Sequence, residues 1–459
     1  MKKYIAASIL SLGIIGAFWL YSSKSVPTFY MGRWSSLTQG MNFGTTTPLA
    51  ENEEPKPKTR EELIADALLN SQYVKGVYMT ADVANDQGVA ARRLRGDIED
   101  LLKTTELNGV VIDVKEAKGS QVTSNLKPLI DELKAQGVWT IARMAVFPDS
   151  SQTKEHPEYY VKNRNTGAFW KDSAGRLWMD PASPAAREYL AAFAMSVIDL
   201  GFDELQFDYI RFPSDGDVKS IIYPAYDPKT PKYTVLKSFF EFMNKNLKDY
   251  KPDIILSADL FGYVATQAND LGIGQRMEDV GSNFDYVSFM LYPSHYYAGF
   301  TMPADPSRSL PKISYPYRSK NVSQVVSNQP YDVVYRSLVF AQDFLAGKIS
   351  TTTFANLHAG ARLGTTTAST TPAGANATST PRSVARMRPW LQDFDLGADT
   401  SRGIVYDAAK VKAQIKAAED AGASGWLLWN ARNVYTEEAL KKKTGTTTES
   451  TTENQAEGN

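Results

Sequence analysis

The chain has no cysteine among its 459 residues, which excludes disulfides, thiolate metal sites and a cysteine nucleophile together. Histidine is scarce: His156, His295 and His358 are the three present, too few for a histidine-rich zinc site. A carboxylate-only site of the calcium type stays open. An excess of charge of one sign is also missing, since 50 Lys+Arg stand against 51 Asp+Glu for a net charge of -1. With no basic stripe and no block of like charge, nucleic acid is not an expected partner. Aromatic residues are plentiful at 11%, with 8 Trp and 24 Tyr. Flat apolar faces with polar edges suit a sugar-binding cleft, although the same residues fill a barrel core equally well.

Lys2 and Lys3 precede a mostly apolar run from Tyr4 to Tyr21, broken only by Ser8 and Ser11. This is the charged start and apolar stretch of an export segment, at a length where a signal peptide and a membrane anchor overlap. Because no small-x-small cleavage pattern follows Tyr21, residues 1–24 read as an uncleaved anchor facing the chain outward; cleavage would make the protein secreted. Residues 25–70 read as a linker, since Ser, Thr, Gly, Pro and charged residues dominate much of the stretch and cannot bury enough apolar surface to fold. The tail 444–459 is of the same kind. So is a Thr-rich insertion at 364–385, expected to be a disordered surface excursion within the globular part.

Between residues 71 and 443, eight short apolar runs end in polar or charged residues: Gly76–Thr80, Val110–Lys115, Trp139–Arg143, Leu205–Asp208, Ile254–Asp259, Tyr286–Met290, Trp390–Phe394 and Trp426–Asn430. Helical spacing fills most intervals, at Ala90–Thr104, Leu126–Gln136, Pro184–Leu200, Tyr233–Leu247, Tyr331–Leu345 and Asp407–Ala421. Strands that alternate with helices must pair in parallel. The expected fold class is therefore α/β, a (β/α)8 TIM barrel with long βα loops, whose strand ends carry the chemistry.

Side chains alternate along a strand, so Gln206 and Asp208 share one face while Leu205 and Phe207 share the other. Asp208 then points into the barrel mouth, with Arg211 near enough in sequence to orient it or to bind an anion. By the same count Asp259 reaches the mouth from the next strand. Adjacent strands lie about 4.8 Å apart, which brings two such carboxyls into the roughly 5–9 Å range of glycoside hydrolases. A pair this close should split its pKa values. A lone aspartate here is more often a cap or a loop support; two at adjacent strand ends reverse those odds. Asp113, Lys115 and Glu116 form a similar charged exit from the second strand, suited to substrate hydroxyls or to a salt bridge between Asp113 and Lys115 or Arg143. Tyr292, His295, Trp429 and Asn430 complete the candidate substrate-binding set, with Asp82, Asp393, Asp395 and Arg432 at or beyond other strand ends. The loop from Phe147 to Asp180 interleaves aromatic and polar residues and is either a sugar-stacking platform or a lid packed on the barrel.

Lys75-Gly-Val-Tyr-Met-Thr80, Val111-Ile-Asp-Val-Lys115, Leu205-Gln-Phe-Asp-Tyr-Ile-Arg-Phe-Pro213 and Gly425-Trp-Leu-Leu-Trp-Asn430, in this order, resemble the glycoside-hydrolase-type barrel domain of exported bacterial proteins, a relative of α-amylase-like barrels. The resemblance covers about Lys75 to Arg432. It implies hydrolysis of an O-glycosyl bond in a polysaccharide or oligosaccharide, with no cofactor, and a nucleophile at Asp208. Where amylase-like barrels carry a glutamate as acid/base, this chain has Asp259; where they carry an arginine two residues before the nucleophile, it has Gln206. A catalytically silent glycan-binding barrel and a metal-dependent hydrolase are the competing expectations.

Overall fold

A computed structural model describes residues 57–266, 270–316, 322–349 and 381–443. The expectations for the anchor, most of the linker, the Thr-rich insertion up to residue 380 and the tail lie outside the described residues. Among the described residues, eight parallel strands close on themselves in sequence order. They are β1 (Val74–Met79), β2 (Gly109–Glu116), β3 (Trp139–Ala145), β4 (Glu204–Asp208), β5 (Ile255–Phe261), β6 (Tyr286–Met290), β7 (Arg386–Met387 and Trp390–Gln392) and β8 (Gly425–Trp429). β1 pairs with both β2 and β8, which is the closure that makes the sheet a barrel. β7 is split because Pro389 has no N–H for the ladder, so one piece pairs with β6 and the other bridges β6 and β8.

An N-terminal helix precedes the barrel, α1 (Arg60–Asn70). The helices between strands include α2 (Val89–Thr104), α3 (Leu126–Ala135), α4 (Pro184–Ile198), α5 (Lys232–Tyr250), α6 (Met277–Gly281), α7 (Pro330–Leu345) and α8 (Ala408–Asp420). Their starts are chemically marked: Ser183 accepts from the Ala186 amide with Pro184 at the first helical position, and Asp407 accepts from the Lys410 amide. Helix α1 falls inside the stretch read as linker. Thr59 and Glu62 cap it reciprocally, yet it has no buried residue, so no apolar stripe betrays it. Its end is tied down where Ser71 shares a hydrogen bond with the Tyr286 hydroxyl at 2.8 Å.

Odd and even strand positions separate two layers. Leu205, Phe207, Leu256, Ala258, Val287 and Phe289 belong to the large apolar cluster outside the strands. Val74, Tyr78, Val111, Ile141, Trp390 and Leu427 pack inside. The inner face also carries polar levels. At the base, Glu204 and Arg388 form a fully buried ion pair of 2.8 Å, supported by Trp139 Nε1 donating to Glu204 at 2.9 Å and by Arg388 donating to the Ser71 carbonyl at 2.7 Å. Above them Gln206 donates to Ser288 Oγ at 3.3 Å. At the top lie the carboxylates.

The loop from Phe147 to Asp180 folds back as antiparallel bridges, Pro148 to Trp178 and Tyr160 to Met179, and its residues Lys162–Asn163 pair with Ile221–Ile222 of the loop after β4. Trp170 and Trp178 are buried. Their indole N–H groups are taken by the Asp217 carbonyl and by Asp172, both at 2.9 Å, so these tryptophans hold the excursion together and have no face left for sugar stacking.

Candidate active site

The C-terminal strand ends bring Asp113 of β2, Arg143 of β3, Asp208 of β4 and Asp259 of β5 to one place, all buried. The ladder explains the meeting: Asp113 is level with Arg143, and Arg143 with Gln206 one inward position below Asp208. Arg143 Nη1 donates to Asp113 Oδ1 at 2.5 Å and Nη2 donates to Asp208 Oδ2, while Nε lies 3.6 Å from Asp259 Oδ2. One guanidinium thus faces three carboxyls, the arrangement for which a planar fork of donors is suited. The ring of Trp429 lies 4.9 Å from the guanidinium carbon and stacks on Tyr78 at 4.0 Å.

The remaining partners define each carboxyl. Asp208 Oδ1 accepts from the Tyr209 amide at 2.5 Å, so both of its oxygens are held. Tyr209 has φ 53°, a left-handed conformation that a bulky residue adopts only where its surroundings impose it. Asp113 accepts from the Tyr78 hydroxyl. Asp259 is sealed from solvent; its Oδ1 accepts from Trp390 Nε1 at 2.8 Å and its Oδ2 has no hydrogen-bond partner. Burial first, and the neighbouring Asp208 second, hold the Asp259 carboxyl well above the ordinary carboxylate range. Three acids around one cation would leave two negative charges in a desolvated site; a proton retained on Asp259 removes one of them.

Other expected site residues separate by role. Tyr292 lines the same space, its hydroxyl raised by burial and then by Asp259 and Asp208, and its ring is edge-on to His295 and Phe394 at 5.4 Å each. His295 is exposed at the rim beside it, with Ser294 Oγ 2.9 Å from Nδ1. Glu116 is half-buried at the mouth, its carboxyl raised by burial and then by Asp113 and Asp82. Lys115 does not reach the mouth. A bulge between Asp113 and Lys115 shifts the register, and the buried ammonium instead meets Asp149 at 2.9 Å and the Ala145 carbonyl at 2.7 Å. Asn430 is consumed by backbone carbonyls, donating to Asp393 after β7 and to Val434 of its own loop at 2.5 and 2.6 Å. Arg211 does not orient Asp208; Arg143 does.

Tyr78 and Trp390 were not singled out from the sequence as site residues, yet each supplies a hydrogen bond to a site carboxyl. Both share the inward parity of their strands, which is the signal that could have found them. Among the described residues no group of three or more His, Asp or Glu is arranged to hold a metal ion, and the Asp113 and Asp208 carboxylates are instead gathered on Arg143.

Over residues 120–360 and 362–435 the chain matches the family described as "putative glycosyl hydrolase domain". The chain belongs to that family. The match spans β3 to β8 and so includes Arg143, Asp208 and Asp259, and membership makes the chain a glycosidase by family. Among solved structures, a hypothetical protein from Ruminiclostridium thermocellum is similar at 26% identity over 40% of this chain and 96% of that one, with TM-score 0.33. The glycoside hydrolase domain of PgaB (BpsB) from Bordetella bronchiseptica is similar at 13% identity over 79% and 94%, with TM-score 0.48. The spore cortex-lytic enzyme SleL of Bacillus megaterium is similar at 10% identity over 80% and 73%, with TM-score 0.42. No curated protein matches the chain.

Proposed function

We propose that the chain is an exported, membrane-tethered retaining glycoside hydrolase of a cell-envelope or extracellular polysaccharide, with Asp208 as nucleophile and Asp259 as acid/base. The observation that carries this reading is the sharing of Arg143 by two carboxyls from adjacent strands, one with both oxygens held in place and the other sealed from solvent, where burial and Asp208 push its carboxyl upward. Asp208 attacks the anomeric carbon while Asp259 gives its proton to the departing glycosidic oxygen, leaving a glycosyl ester and a free alcohol. Asp259 then takes a proton from water, the hydroxide oxygen attacks the anomeric carbon, and Asp208 leaves as carboxylate. Arg143 and the Tyr209 amide orient the nucleophile, and Tyr292 and Trp429 supply aromatic walls to the sugar.

Export and tethering rest on Lys2, Lys3 and the apolar run Tyr4–Tyr21. A second reading is favoured by one fact, that Asp259 is fully enclosed whereas Glu116 is half-buried at the mouth with a raised carboxyl: Glu116 is then the proton donor. The test is proton NMR of the first sugar released from a responsive polysaccharide, with wild type and Glu116→Gln. Retained configuration with Glu116→Gln close to wild type supports Asp259 as the acid; an inverted first product contradicts the double-displacement mechanism, and a loss of two or more orders of magnitude in Glu116→Gln transfers the role.

A further inference from the structure

Arg211 is a buried cation that forms no ion pair with any described residue. It is 4% exposed, and among the described residues no carboxylate lies within ion-pair distance of it. Its two hydrogen bonds both leave from Nη1, to the Phe212 carbonyl at 3.2 Å and to Ser214 Oγ at 3.0 Å. Nε and Nη2, the edge of the guanidinium that grips a carboxylate with two parallel bonds, have no partner among the described residues. Neither atom is among the fully enclosed polar atoms that lack a partner.

What holds the charge there is aromatic. The guanidinium carbon lies 4.8 Å from the ring of Phe261, 5.0 Å from Trp178 and 5.3 Å from Tyr209. Faces of this kind stabilise a desolvated cation in part, yet leave its in-plane donors free. Arg176 lies 4.9 Å from the same Tyr209 ring and donates to its hydroxyl at 2.8 Å, so two guanidiniums meet at the residue that follows Asp208. Asp172 pairs with Arg176 at 2.6 Å; Asp208 and Asp215 are near enough to attract Arg211 without pairing with it. Arg176 is thus matched by its own aspartate, whereas Arg211 is left with no carboxylate at ion-pair distance among the described residues.

We infer that Arg211 is a specificity residue whose free edge takes the carboxylate of an acidic sugar seated beside Asp208, making a uronic-acid-containing polysaccharide the substrate class. This deepens the glycosidase reading and rests on it for the word substrate, though the binding site itself does not depend on turnover. A carboxylate fits because it is planar and presents two oxygens at the spacing of the guanidinium fork, and because it supplies the charge that the protein leaves out.

The experiment measures binding of Asp259→Asn protein, in which turnover cannot blur the signal, to immobilised oligomers of galacturonate, glucuronate-containing and mannuronate-containing polysaccharides. Each is set beside its carboxyl-reduced counterpart, and sulfated neutral oligomers form a further arm. The expected result is that at least one uronate is retained over its reduced form by about 10- to 100-fold, the loss associated with removing one charge-assisted fork. That preference should collapse in the additional Arg211→Gln variant and survive in part in Arg211→Lys. Equal binding of every acidic and reduced pair, a preference that survives Arg211→Gln, or retention of the sulfated oligomers alone overturns the proposal. Failure of both Arg211 variants to fold makes Arg211 a structural cation and overturns it too. Cleavage without acidic preference would leave the glycosidase reading standing and remove only this inference, whereas acidic binding without cleavage by wild type would do the reverse.

Discussion

Arg143 sits between Asp113, Asp208 and Asp259, and Asp259 is the most enclosed of the three carboxyls. The sign of the consequence is fixed. An aspartate in the unfolded chain titrates near 3.9, while burial and Asp208 raise Asp259 well above that in the fold. The native state therefore holds a proton that the unfolded state releases as pH rises, and the contribution of Asp259 to stability is lost through the window between the two values. Asp259→Asn stays neutral throughout, so its stability relative to wild type should grow as pH is raised from about 4 towards 8; urea unfolding at several pH values checks this, and a pH-independent difference contradicts it. Parity along β4 and β5 was enough to place Asp208 and Asp259 on the inward face at adjacent strand ends. Lys115 was not legible as a buried support, because a bulge in β2 moves it off the parity that Asp113 sets. Arg143 was legible as a partner of Asp113, but its hold on Asp208 depends on the stagger of neighbouring strands, which no single strand reveals.

At the scale of elements, backbone constraints gather at both ends of the strands. At the base, Gly425 has φ 89°, and a Cβ there would lie 2.0 Å from the Val74 carbonyl oxygen of the paired strand. Gly425→Ala should destabilise the fold by roughly 3 kcal/mol through strain and separation of β1 from β8, read as a lower unfolding midpoint; a change below about 0.5 kcal/mol would mean that this seam is loosely paired. At the mouth, the left-handed Tyr209 turns the chain directly after Asp208 and sends its amide back to that carboxylate. The six helices expected from apolar periodicity are all present, because each buries one stripe against the strands. The short α6, and α1, which buries no residue fully, carried no such stripe. The two tryptophans of the long β3–α4 loop were ambiguous for a physical reason: an aromatic residue in a loop looks the same whether its face meets sugar or protein.

At the scale of the whole molecule, the two pieces of β7 that follow the Thr-rich insertion complete the ring, and the last residues of the stretch expected to be disordered are ordered, Arg382 donating to the Leu345 carbonyl and Ser383 to the Gly281 carbonyl. Deleting residues 365–380 should leave the melting temperature within a few degrees of wild type, because a change in loop length costs only about 0.6 kcal/mol per doubling; a large drop would show that the segment is packed. The N-terminal reading has its own check. Full-length protein should fractionate with membranes and retain its first residues, while removal of residues 1–24 should release it, and mature protein beginning after residue 21 would contradict an uncleaved anchor. Hydrolysis by Asp208→Asn and Asp259→Asn, with and without azide, separates a catalytic carboxyl pair from a structural one. Each substitution should lower turnover by at least about three orders of magnitude while leaving the fold intact, and azide should restore part of it by supplying the missing small anion. Turnover close to wild type in both variants would contradict the account.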